Sequence, residues 1–493
     1  MATPASNPQA TLDLPDLAAT CRLARALAIR ARRGDVIALE GDLGAGKTTL
    51  ARFFIAALGV DEEVASPTFS LVQRYAPPDC GAPVWHFDFY RLSAADEAFE
   101  LGIEEAFAEG ISLIEWPERL PGVLPDERLV LGLAHGAGEG ERRAVLSGQL
   151  GGCGAARLAR DVALLSFLEG AGWGEAPVMP LAGDASFRSY CRVGQGARSA
   201  IVMDAPPARE DVRPFIAMAD WLRGIGLSSP KILASDPQNG FLLLEDLGDG
   251  LFARLIAAGQ PPGEEALYRA AVEVLAHLQR RQPPAGLPLH DAAVLLDGVR
   301  LFTEWFLPAV SGAAAGDDLE ASFIAAWRAA LGALPALDPV VALRDYHAEN
   351  LLWLDDRAGL ARVGLLDFQD ASLGSPAYDL VSLLQDARRD VAPALEAAMI
   401  EHFLSLRPEL DPAGFRTAYA LLGAQRNTRI IGVFTRLWRR DGKAGYLSLI
   451  PRVWGLLARD LAHPALAPLR AWFDHYCPPA RRRAPSVKET PQA

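Results

Sequence analysis

The sequence has few cysteines and no long apolar run. Its five cysteines, at positions 21, 80, 153, 191 and 477, form neither a CxxC pair nor a zinc-ligand spacing. This scatter implies no disulfide framework or metal cluster and is typical of a reducing compartment. No stretch reaches the ~20 uninterrupted apolar residues of a membrane span, and the N-terminus lacks a charged start followed by an apolar segment. We therefore expect a cytoplasmic protein that binds no membrane.

Positive charge is also scarce, since the formal net charge is −13. A protein that coats nucleic acid needs a basic surface to hold phosphates. The charge balance therefore argues against a protein that coats nucleic acid, although a net negative charge still allows a local basic patch. Half of the 493 residues are apolar, which indicates a globular protein. A chain of this length is too long to fold around one hydrophobic core, and about two to four domains are expected.

Glycine and alanine are dense between residues 134 and 156, and we predict a domain boundary there, near residue 150. Before it, short β-like runs at 35–40, 84–90 and 111–116 alternate with helical patterns. This alternation predicts an α/β domain over 1–150.

The remainder of the chain divides by pattern. After a linker at 151–157, strand-like runs such as "SAIVMDAP" and "GFLLLEDLG" predict a small β-rich lobe at 158–249. Amphipathic helical patterns then predict a helical lobe at 250–480. The polar, proline-rich end at 481–493 is predicted to be a disordered tail.

A glycine-rich loop between an apolar strand and an amphipathic helix predicts a nucleotide site. In "DVIALEGDLGAGKTTLARFF", the GxxxxGK[ST] pattern is complete. Backbone amides would cradle the phosphates, Lys47 would reach the β- and γ-oxygens, and the Thr48 hydroxyl would ligate magnesium. The residues assigned to this site are Gly41, Asp42, Gly44, Ala45, Gly46, Lys47, Thr48 and Thr49.

Three further segments follow the loop: "SPTFSLVQRY" (66–75), "HFDFYRL" (86–92) and "LIEWPE" (113–118). Together with the loop they resemble the bacterial TsaE family, the ATPase subunit of the system that makes threonylcarbamoyladenosine in tRNA, over roughly residues 10–150. The resemblance implies an α/β P-loop NTPase fold that hydrolyses ATP to reset a multi-protein machine. Its partners would be the other subunits of that machine, with tRNA contacted only indirectly.

The resemblance also assigns roles. It places Thr68 in a switch-like loop near the γ-phosphate, Asp88 as a required acid near magnesium, and Glu115 and Trp116 along the site. Asp88 and Glu115 each end an apolar run, where a buried strand would deliver a carboxylate to the phosphate-binding edge of a sheet. We predict both as catalytic, and Glu115 also as a metal ligand. The alternative for either acid alone is a solvated strand end. His86 is expected to orient its neighbours rather than act as a base.

A second phosphoryl-transfer pattern lies in "LRDYHAENLLWLDD", at 343–356. Asp345 and Asn350 match the D-x-x-x-x-N spacing of a kinase catalytic loop, and "GLLDFQDAS" places Asp367 downstream. Asp345 would accept the proton of an acceptor hydroxyl, while Asn350 and Asp367 would hold Mg²⁺ on the phosphates. The alternative is an ordinary polar loop. His347 has no partners at metal-ligand spacing, so we expect it to pack or hydrogen-bond.

Six segments carry a second resemblance, over roughly residues 160–480: "GDASFRSYCRV", "IVMDAPP", "GFLLLEDLGD", "LRDYHAENLLWL", "GLLDFQDA" and "GAQRNTRIIGVFTRL". They resemble the aminoglycoside phosphotransferase and choline kinase group, and more closely the cell-wall-recycling sugar kinases. The resemblance implies a two-lobed protein-kinase-like α+β domain that phosphorylates the anomeric hydroxyl of an amino sugar, N-acetylmuramate or N-acetylglucosamine. It implies a phosphate loop made of Gly183, Asp184, Ala185, Ser186 and Phe187. It also implies an adenine-binding hinge made of Glu245, Asp246 and Leu247.

The sequence departs from this kinase pattern at two places. Leu343 and Arg344 replace the common His-X pair before the catalytic aspartate. The strand that usually carries the phosphate-pairing lysine has Met203 at the expected position. Arg188 or Arg192 on the preceding strand could neutralise the phosphates if it faces the cleft. The alternative is that each is an exposed strand arginine.

A stripe of polar residues follows helical spacing near the C-terminus. Gln425, Arg426, Arg429 and Arg436 lie on one face of the predicted helix. Such a stripe could face an acidic sugar, for example a lactyl carboxylate. A solvated helix face is the alternative.

These patterns together predict two independent ATP-using sites fused in one chain. For the first half, a small-molecule P-loop kinase is the alternative, but "GEGERR" makes a poor arginine-rich lid. For the second half, the alternatives are a kinase for another alcohol, such as an aminoglycoside, choline or homoserine, and a binding module that transfers no phosphate.

Overall fold

The structure is a computed structural model, and it describes residues 9–78, 80–120, 122–181, 187–195, 198–314 and 316–486. Contacts divide the chain into two units. The first unit comprises 1–179 with 193–196, and the second comprises 180–192 with 197–493. Within the described ranges, no helix combines the length and the apolar character needed to cross a membrane.

The first unit is a mixed sheet with helices packed against it. Its elements are β1 (Ala10–Leu14), α1 (Leu17–Arg30), β2 (Val36–Glu40), α2 (Lys47–Ala57), β3 (Val72–Tyr75), β4 (Val84–Asp88), α3 (Ala95–Glu100), α4 (Ile103–Glu109), β5 (Ile111–Glu115), β6 (Leu129–His135), β7 (Arg142–Leu150), β8 (Cys153–Gly154) and α5 (Ala155–Gly170). The sheet order is β1-β7-β6-β2-β5-β4-β3, and β8 pairs with β7.

The centre of this sheet is parallel. β2 runs parallel to both β5 and β6, and β4 runs parallel to β5. The residues of β4 and β5 are all buried, as expected for continuous apolar runs covered on both faces. The carboxyl ends of β2, β4 and β5 therefore meet at one edge of the sheet, and the predicted α/β P-loop fold is confirmed.

The predicted boundary region differs from the structure. Residues 142–150 form β7, which pairs with β1 and β6, so the glycine-rich stretch contributes a long strand of the sheet. The predicted linker at 151–157 is occupied by β8 and the start of α5. Leu158 and Leu165 of α5 lie in the core of the first unit, because this helix is amphipathic and its apolar face packs beside α1. The first unit therefore extends to residue 179.

From residue 178 onward the chain forms a second sheet followed by helices. The sheet elements are β9 (Val178–Pro180), β10 (Ser189–Gln195), β11 (Arg198–Asp204), α6 (Arg213–Gly224), β12 (Ile232–Asp236) and β13 (Phe241–Glu245), with strand order β12-β13-β11-β10-β9. This is the predicted β-rich lobe.

The helical lobe follows as predicted. It contains α7 (Phe252–Ala257), α8 (Glu264–Leu278), α9 (Ala292–Leu301), a π-helical turn (Phe302–Phe306), α10 (Leu307–Ser311), α11 (Asp317–Gly332), β14 (Val340–Ala342), β15 (Leu351–Trp353), β16 (Val363–Leu365), β17 (Ser372–Gly374), α12 (Tyr378–Leu384), α13 (Pro393–Leu406), α14 (Pro412–Asp441), α15 (Ile450–Leu461) and α16 (Ala467–Tyr476). β14 pairs with β17 and β15 with β16.

The predicted tail begins with ordered contacts. Arg482 donates to the Cys477 carbonyl and pairs with Asp474 at 2.6 Å. The remainder of the predicted tail, from residue 487, lies outside the described residues.

The central helix of the second unit, α14, needs a glycine where it meets the π-helical turn. A Cβ added at Gly432 would lie 2.4 Å from the backbone carbon of Leu301 and 2.7 Å from the backbone nitrogen of Phe302. Only a residue without a side chain allows the two backbones to approach this closely.

We expect Gly432→Ala to destabilise the second unit by about 1–3 kcal/mol, because steric overlap with rigid backbone outweighs the gain in helix propensity. The matched control is Gly455→Ala in α15, where an added Cβ meets nothing within 4 Å. That change is expected to be neutral or to stabilise by up to about 1 kcal/mol. Denaturant unfolding of the full chain measures both, and equal effects of the two substitutions would contradict the packing argument.

Candidate active sites

The loop between β2 and α2 has the backbone shape of a phosphate cradle. Gly41, Gly44 and Gly46 have left-handed φ values of 132°, 80° and 107°. An added Cβ at Gly41 would lie 2.2 Å from the Leu133 carbonyl oxygen. Because the loop leads directly into the N-terminus of α2, backbone amides of the first helical turn and the helix dipole favour an anion at this end of the helix.

Lys47 is the first residue of α2, directly after this loop. Its ammonium group donates to the Gly41 and Asp42 carbonyls at 2.5 and 3.0 Å and sits 3.7 Å from the centre of the Trp116 ring. Burial lowers the pKa of Lys47, and the carboxylates of Glu115 and Glu118 oppose that shift. The loop carbonyls and the aromatic ring thus hold the cation where phosphate oxygens would meet it.

The two predicted acids lie side by side at the sheet edge. Asp88 ends β4 and Glu115 ends β5, and the two are register partners. Thr68 donates its hydroxyl to Asp88 at 2.7 Å, and Thr48 donates to Glu115 at 2.9 Å. His86 contacts the other Glu115 oxygen at 2.9 Å. The structure therefore brings together residues from four segments.

The hydroxyl of Thr48 and the carboxylate of Glu115 are oxygen donors of the kind that Mg²⁺ prefers. His86 is fully buried and contacts a ligand candidate rather than the loop, as expected of an orienting group. Among the described residues, no group of three or more His, Cys, Asp and Glu side chains is arranged to hold a metal ion. Magnesium bound through one or two protein oxygens and the phosphates needs no such group.

The other assigned loop residues have different surroundings. Ala45 is buried, Thr49 lies half-buried in the first turn of α2, and the side chain of Asp42 is exposed. Arg142 was not predicted as a site residue, yet it donates to the carbonyls of Ala45 and Gly44 at 3.1 and 3.3 Å. Arg142 belongs to the "GEGERR" segment and is the first residue of β7. Its hydrogen bonds to the P-loop depend on where β7 lies in the sheet, which the sequence pattern did not indicate.

The second site is formed by the loop between β14 and β15 and the loop between β16 and β17. Asn350 donates its amide to the Asp345 carbonyl at 2.9 Å and lies 3.4 Å from an Asp367 carboxylate oxygen. Asp367 has a left-handed φ of 56°, and such strain in a residue other than glycine concentrates at functional sites. The three predicted residues are therefore brought together. The amide and carboxylate of Asn350 and Asp367 supply oxygens that fit Mg²⁺.

A buried carboxylate outside the predicted set anchors the loop. Asp379, at the start of α12, accepts the backbone N–H groups of Leu343 and Arg344 at 2.6 and 2.8 Å. Arg344 is held at a left-handed φ of 72°, directly before Asp345. The sequence signal for Asp379 was an acid one residue into the apolar run "YDLVSLL", which is equally typical of helix N-terminal charge.

The carboxyl group of Asp345 is largely shielded from solvent and lies near several arginines. Burial raises its pKa, the guanidinium of Arg426 opposes this, Asp367 adds to the increase, and Arg429 and Arg344 oppose it. A carboxylate with these neighbours is suited to accept a proton from a hydroxyl.

Two of the four residues of the predicted stripe, Gln425 and Arg426, are buried. Gln425 donates to the Leu295 carbonyl, and Arg426 donates to the Ser382 hydroxyl at 2.6 Å. Ser382 in turn donates to the carbonyl of Arg344. The solvated-face alternative is therefore wrong for Gln425 and Arg426, because α14 passes through the core of the lobe. Arg429 and Arg436 are half-buried.

His347 is buried and lies 3.4 Å from both the Asn350 amide and an Arg388 nitrogen. Burial, with Arg388 and Arg426 nearby, lowers its pKa well below the usual value. Its side chain packs and contacts polar neighbours, as predicted.

The nucleotide-side predictions have mixed outcomes. Gly183 and Ser186, with Asp184 and Ala185, lie outside the described residues. Phe187 is 61% exposed, with the Arg209 guanidinium 5.0 Å from its ring centre.

The hinge side chains are engaged within the protein. The carboxylate of Glu245 accepts from the Lys231 backbone and pairs with Arg357. Leu247 packs close to Gly364. Any contact of this segment with adenine is therefore expected to use the main chain.

Of the two candidate arginines, Arg188 faces the site. Its guanidinium contacts Asp367 at 3.1 Å. Arg192 instead pairs with Asp246 and Asp249 at 2.7 and 3.0 Å. Met203 is buried in the core.

Comparison with known proteins matches the two units separately. A family model described as "Threonylcarbamoyl adenosine biosynthesis protein TsaE" matches residues 14–145. A second, described as "Phosphotransferase enzyme family", matches residues 177–414.

Relatives match in the same two parts. An N-acetylmuramate/N-acetylglucosamine kinase of Caulobacter vibrioides is 42% identical over 364 residues, covering 66% of this chain and 98% of the relative. The Pseudomonas aeruginosa protein of the same name is 37% identical, covering 60% of this chain and 89% of the relative. The tRNA threonylcarbamoyladenosine biosynthesis protein TsaE of Bacillus subtilis is 42% identical over 124 residues, covering 25% and 75%.

We expect Asp379→Asn to lower the free energy of unfolding by about 1–3 kcal/mol at pH 7, where the carboxyl is ionised, because an amide leaves one of the two backbone donors without an acceptor. Burial raises the pKa of Asp379 to about 6 from its ordinary 3.8. The folded state therefore holds the proton more tightly, and the stability that this contributes is lost as pH rises through about 6. The deficit of the variant should shrink by about 1 kcal/mol between pH 5 and 7.

Denaturant unfolding at the two pH values measures this change. Asp356→Asn is the control, because Asp356 is exposed and its substitution should have little effect at either pH. A deficit of Asp379→Asn that does not vary with pH would show that the carboxylate is ionised throughout this range.

Proposed function

Because the chain belongs to the TsaE family through its N-terminal part and to the phosphotransferase enzyme family through its C-terminal part, we propose that it is a bifunctional enzyme with two independent ATP-using sites. The first site hydrolyses ATP for the machinery that makes threonylcarbamoyladenosine in tRNA. The second transfers phosphate from ATP to the anomeric hydroxyl of N-acetylmuramate or N-acetylglucosamine.

The kinase half of the proposal rests on the cluster of Asp345, Asn350 and Asp367, in a chain that spans nearly the whole Caulobacter relative. Asp345 accepts the proton of the attacking sugar hydroxyl. Asn350 and Asp367 would hold magnesium, which when bound neutralises charge on the transferring phosphoryl group. Asp379 fixes the loop, so the base keeps its position during transfer.

The positive charge around Asp345 supports an acidic acceptor. Arg344, Arg426 and Arg429 all act electrostatically on Asp345. The lactyl carboxylate of N-acetylmuramate would find complementary charge beside the base. A neutral amino sugar needs no such charge, and it would bind through its hydroxyl and acetamido groups.

The ATPase half rests on the contacts among Thr48, Glu115 and His86 and on the neighbouring Asp88. These groups lie at the carboxyl edge of the sheet beside the P-loop, where they would position magnesium and a water molecule. The other subunits of the tRNA-modifying machine are the proposed partners. With a net charge of −13, the chain is proposed to meet tRNA only through them.

Independence of the two sites is proposed because each unit carries its own phosphate-binding and acidic residues. Lys47, Asp88 and Glu115 all belong to the first unit, and Asp345 and Asp367 to the second. The substrates of the two reactions share no chemistry beyond ATP, so we propose that the fusion joins two separate activities.

We expect the full chain, with ATP and magnesium, to convert both amino sugars to sugar 1-phosphates, detected by mass spectrometry. Asp345→Asn should reduce turnover by about 10²–10⁴-fold, because the hydroxyl loses its proton acceptor. The control is Asp356→Asn, an exposed change in the same segment, which should retain activity. If neither sugar is modified while another alcohol gains phosphate, the amino-sugar assignment is wrong.

We expect the chain to restore threonylcarbamoyladenosine in the tRNA of a strain that lacks its own TsaE, measured by nucleoside mass spectrometry. Lys47→Ala should abolish the rescue, since the phosphates lose their main cation, but should leave sugar phosphorylation intact. Asp345→Asn should behave in the opposite way. Loss of sugar kinase activity in a folded Lys47→Ala protein would contradict independent sites.

A further inference from the structure

We propose that Arg188, held by Glu210, is the cation that binds the ATP phosphates in the kinase site, in place of the lysine that protein kinases carry on the corresponding strand. The inference rests on the proposed kinase function. In protein kinases, that lysine pairs with a glutamate of the neighbouring helix and must be in place together with the magnesium-binding aspartate. Here the corresponding charges would be Arg188, Glu210 and Asp367, and the cation lies just before β10 instead of on β11.

Within the described residues of the second unit, no lysine occupies the strand position that carries this cation in protein kinases. Position 203, on β11, carries a methionine that is 1% exposed, packs in the apolar core and is paired with Leu242. The sequence contains four lysines, at 47, 231, 443 and 488. Lys47 belongs to the P-loop, Lys231 and Lys443 are exposed, and Lys488 lies outside the described residues.

Arg188 instead makes the pairings expected of the phosphate-binding cation. It lies directly before β10, and its side chain is 9% exposed. One nitrogen contacts Asp367 at 3.1 Å, and the Nε contacts Glu210, which precedes α6, at 3.1 Å. Two carboxylates from different parts of the unit therefore hold one guanidinium beside the predicted metal ligand.

The other arginines near the site have other roles. Arg192 is held by Asp246 and Asp249 on the hinge side. Arg426 is bonded to Ser382, on the side of the catalytic base. Arg344 lies directly before Asp345 in the chain, and its backbone N–H donates to Asp379. Of these four arginines, Arg188 is the one whose guanidinium contacts the predicted metal ligand Asp367.

A guanidinium is suited to such a relocated role. Its planar fork can keep one edge on Glu210 while another edge meets phosphate oxygens in a bidentate pairing. It remains charged at any physiological pH. Its burial strengthens the attraction to phosphate relative to an exposed side chain. An arginine that carries the charge from the position just before β10 leaves position 203 free to join the core, which accounts for the methionine.

The test measures nucleotide binding as well as turnover. All variants are made in a Lys47→Ala background, so that the P-loop does not contribute to nucleotide binding. Titration calorimetry with a non-hydrolysable ATP analogue and with adenosine separates phosphate contacts from base contacts. The matched control is Arg213→Met, whose guanidinium is 78% exposed and pairs locally with Asp211.

We expect Arg188→Met to weaken binding of the ATP analogue by about 10–100-fold, the equivalent of one lost charge-assisted contact, while adenosine affinity stays within about twofold. Sugar phosphorylation should fall by about 100-fold or more. Arg188→Lys should restore part of both. Glu210→Gln should raise the KM for ATP several-fold, because the guanidinium loses the partner that orients it.

Several outcomes would overturn the proposal. One is analogue affinity within about twofold of the parent in folded Arg188→Met. Another is an equal loss for adenosine and the analogue, which would indicate a structural role. If Arg188→Met does not fold, unchanged KM values in both Arg188→Lys and Glu210→Gln would overturn it as well. Absence of sugar phosphorylation in the parent chain would instead refute the proposed function, and the binding comparison would still test the role of Arg188.

Discussion

Carboxylates held close together are the constraint on which both sites depend. Like charges a few ångströms apart repel, and burial adds the cost of removing each from water. Asp88 and Glu115 are therefore met by the hydroxyls of Thr68 and Thr48 and by His86. In the second site, two backbone amides satisfy Asp379 and a guanidinium contacts Asp367. The geometry of each site follows from where these compensating donors lie.

The two folds meet this constraint in different ways. In the first unit, parallel strands end together, so acids at the ends of β4 and β5 become neighbours and the hydroxyls come from the loop and helix beside them. In the second unit, the acids lie on short loops after small strand pairs, where no broad sheet edge aligns them. Asp379 therefore anchors one loop from α12, and the strained residues Arg344 and Asp367 adopt left-handed backbone conformations.

Arginine carries almost all of the positive charge in this chain, which has four lysines among its 48 basic residues. Arginine forms bidentate pairs and stays charged when buried. It can therefore take part in networks that a lysine would enter only with a lowered pKa. Arg142 at the P-loop, Arg426 inside α14 and Arg188 at Asp367 each use this property.

The motifs that carry chemistry could be predicted because they are local. GxxxxGK[ST] after a strand, an acid at the end of an apolar run and D-x-x-x-x-N each depend on their own backbone context. Spacing and resemblance therefore predict roles for Lys47, Asp88, Glu115, Asp345 and Asn350. The boundary was predicted near 150 because glycine content suggested weak packing, whereas in the structure β7 pairs with β1 and β6, and α5 packs beside α1.

The sequence by itself predicted two phosphate-handling sites and most of the side chains assigned to them. Only the tertiary structure decided that Arg188 rather than Arg192 faces Asp367, that Asp379 anchors the catalytic loop, and that the stripe around Arg426 is buried. These three outcomes depend on pairings between residues that are far apart in the chain: Arg188 with Asp367, Asp379 with Leu343, and Arg426 with Ser382. Local spacing constrains a side chain's own turn or strand, but it carries no information about which distant charge the fold will bring to it.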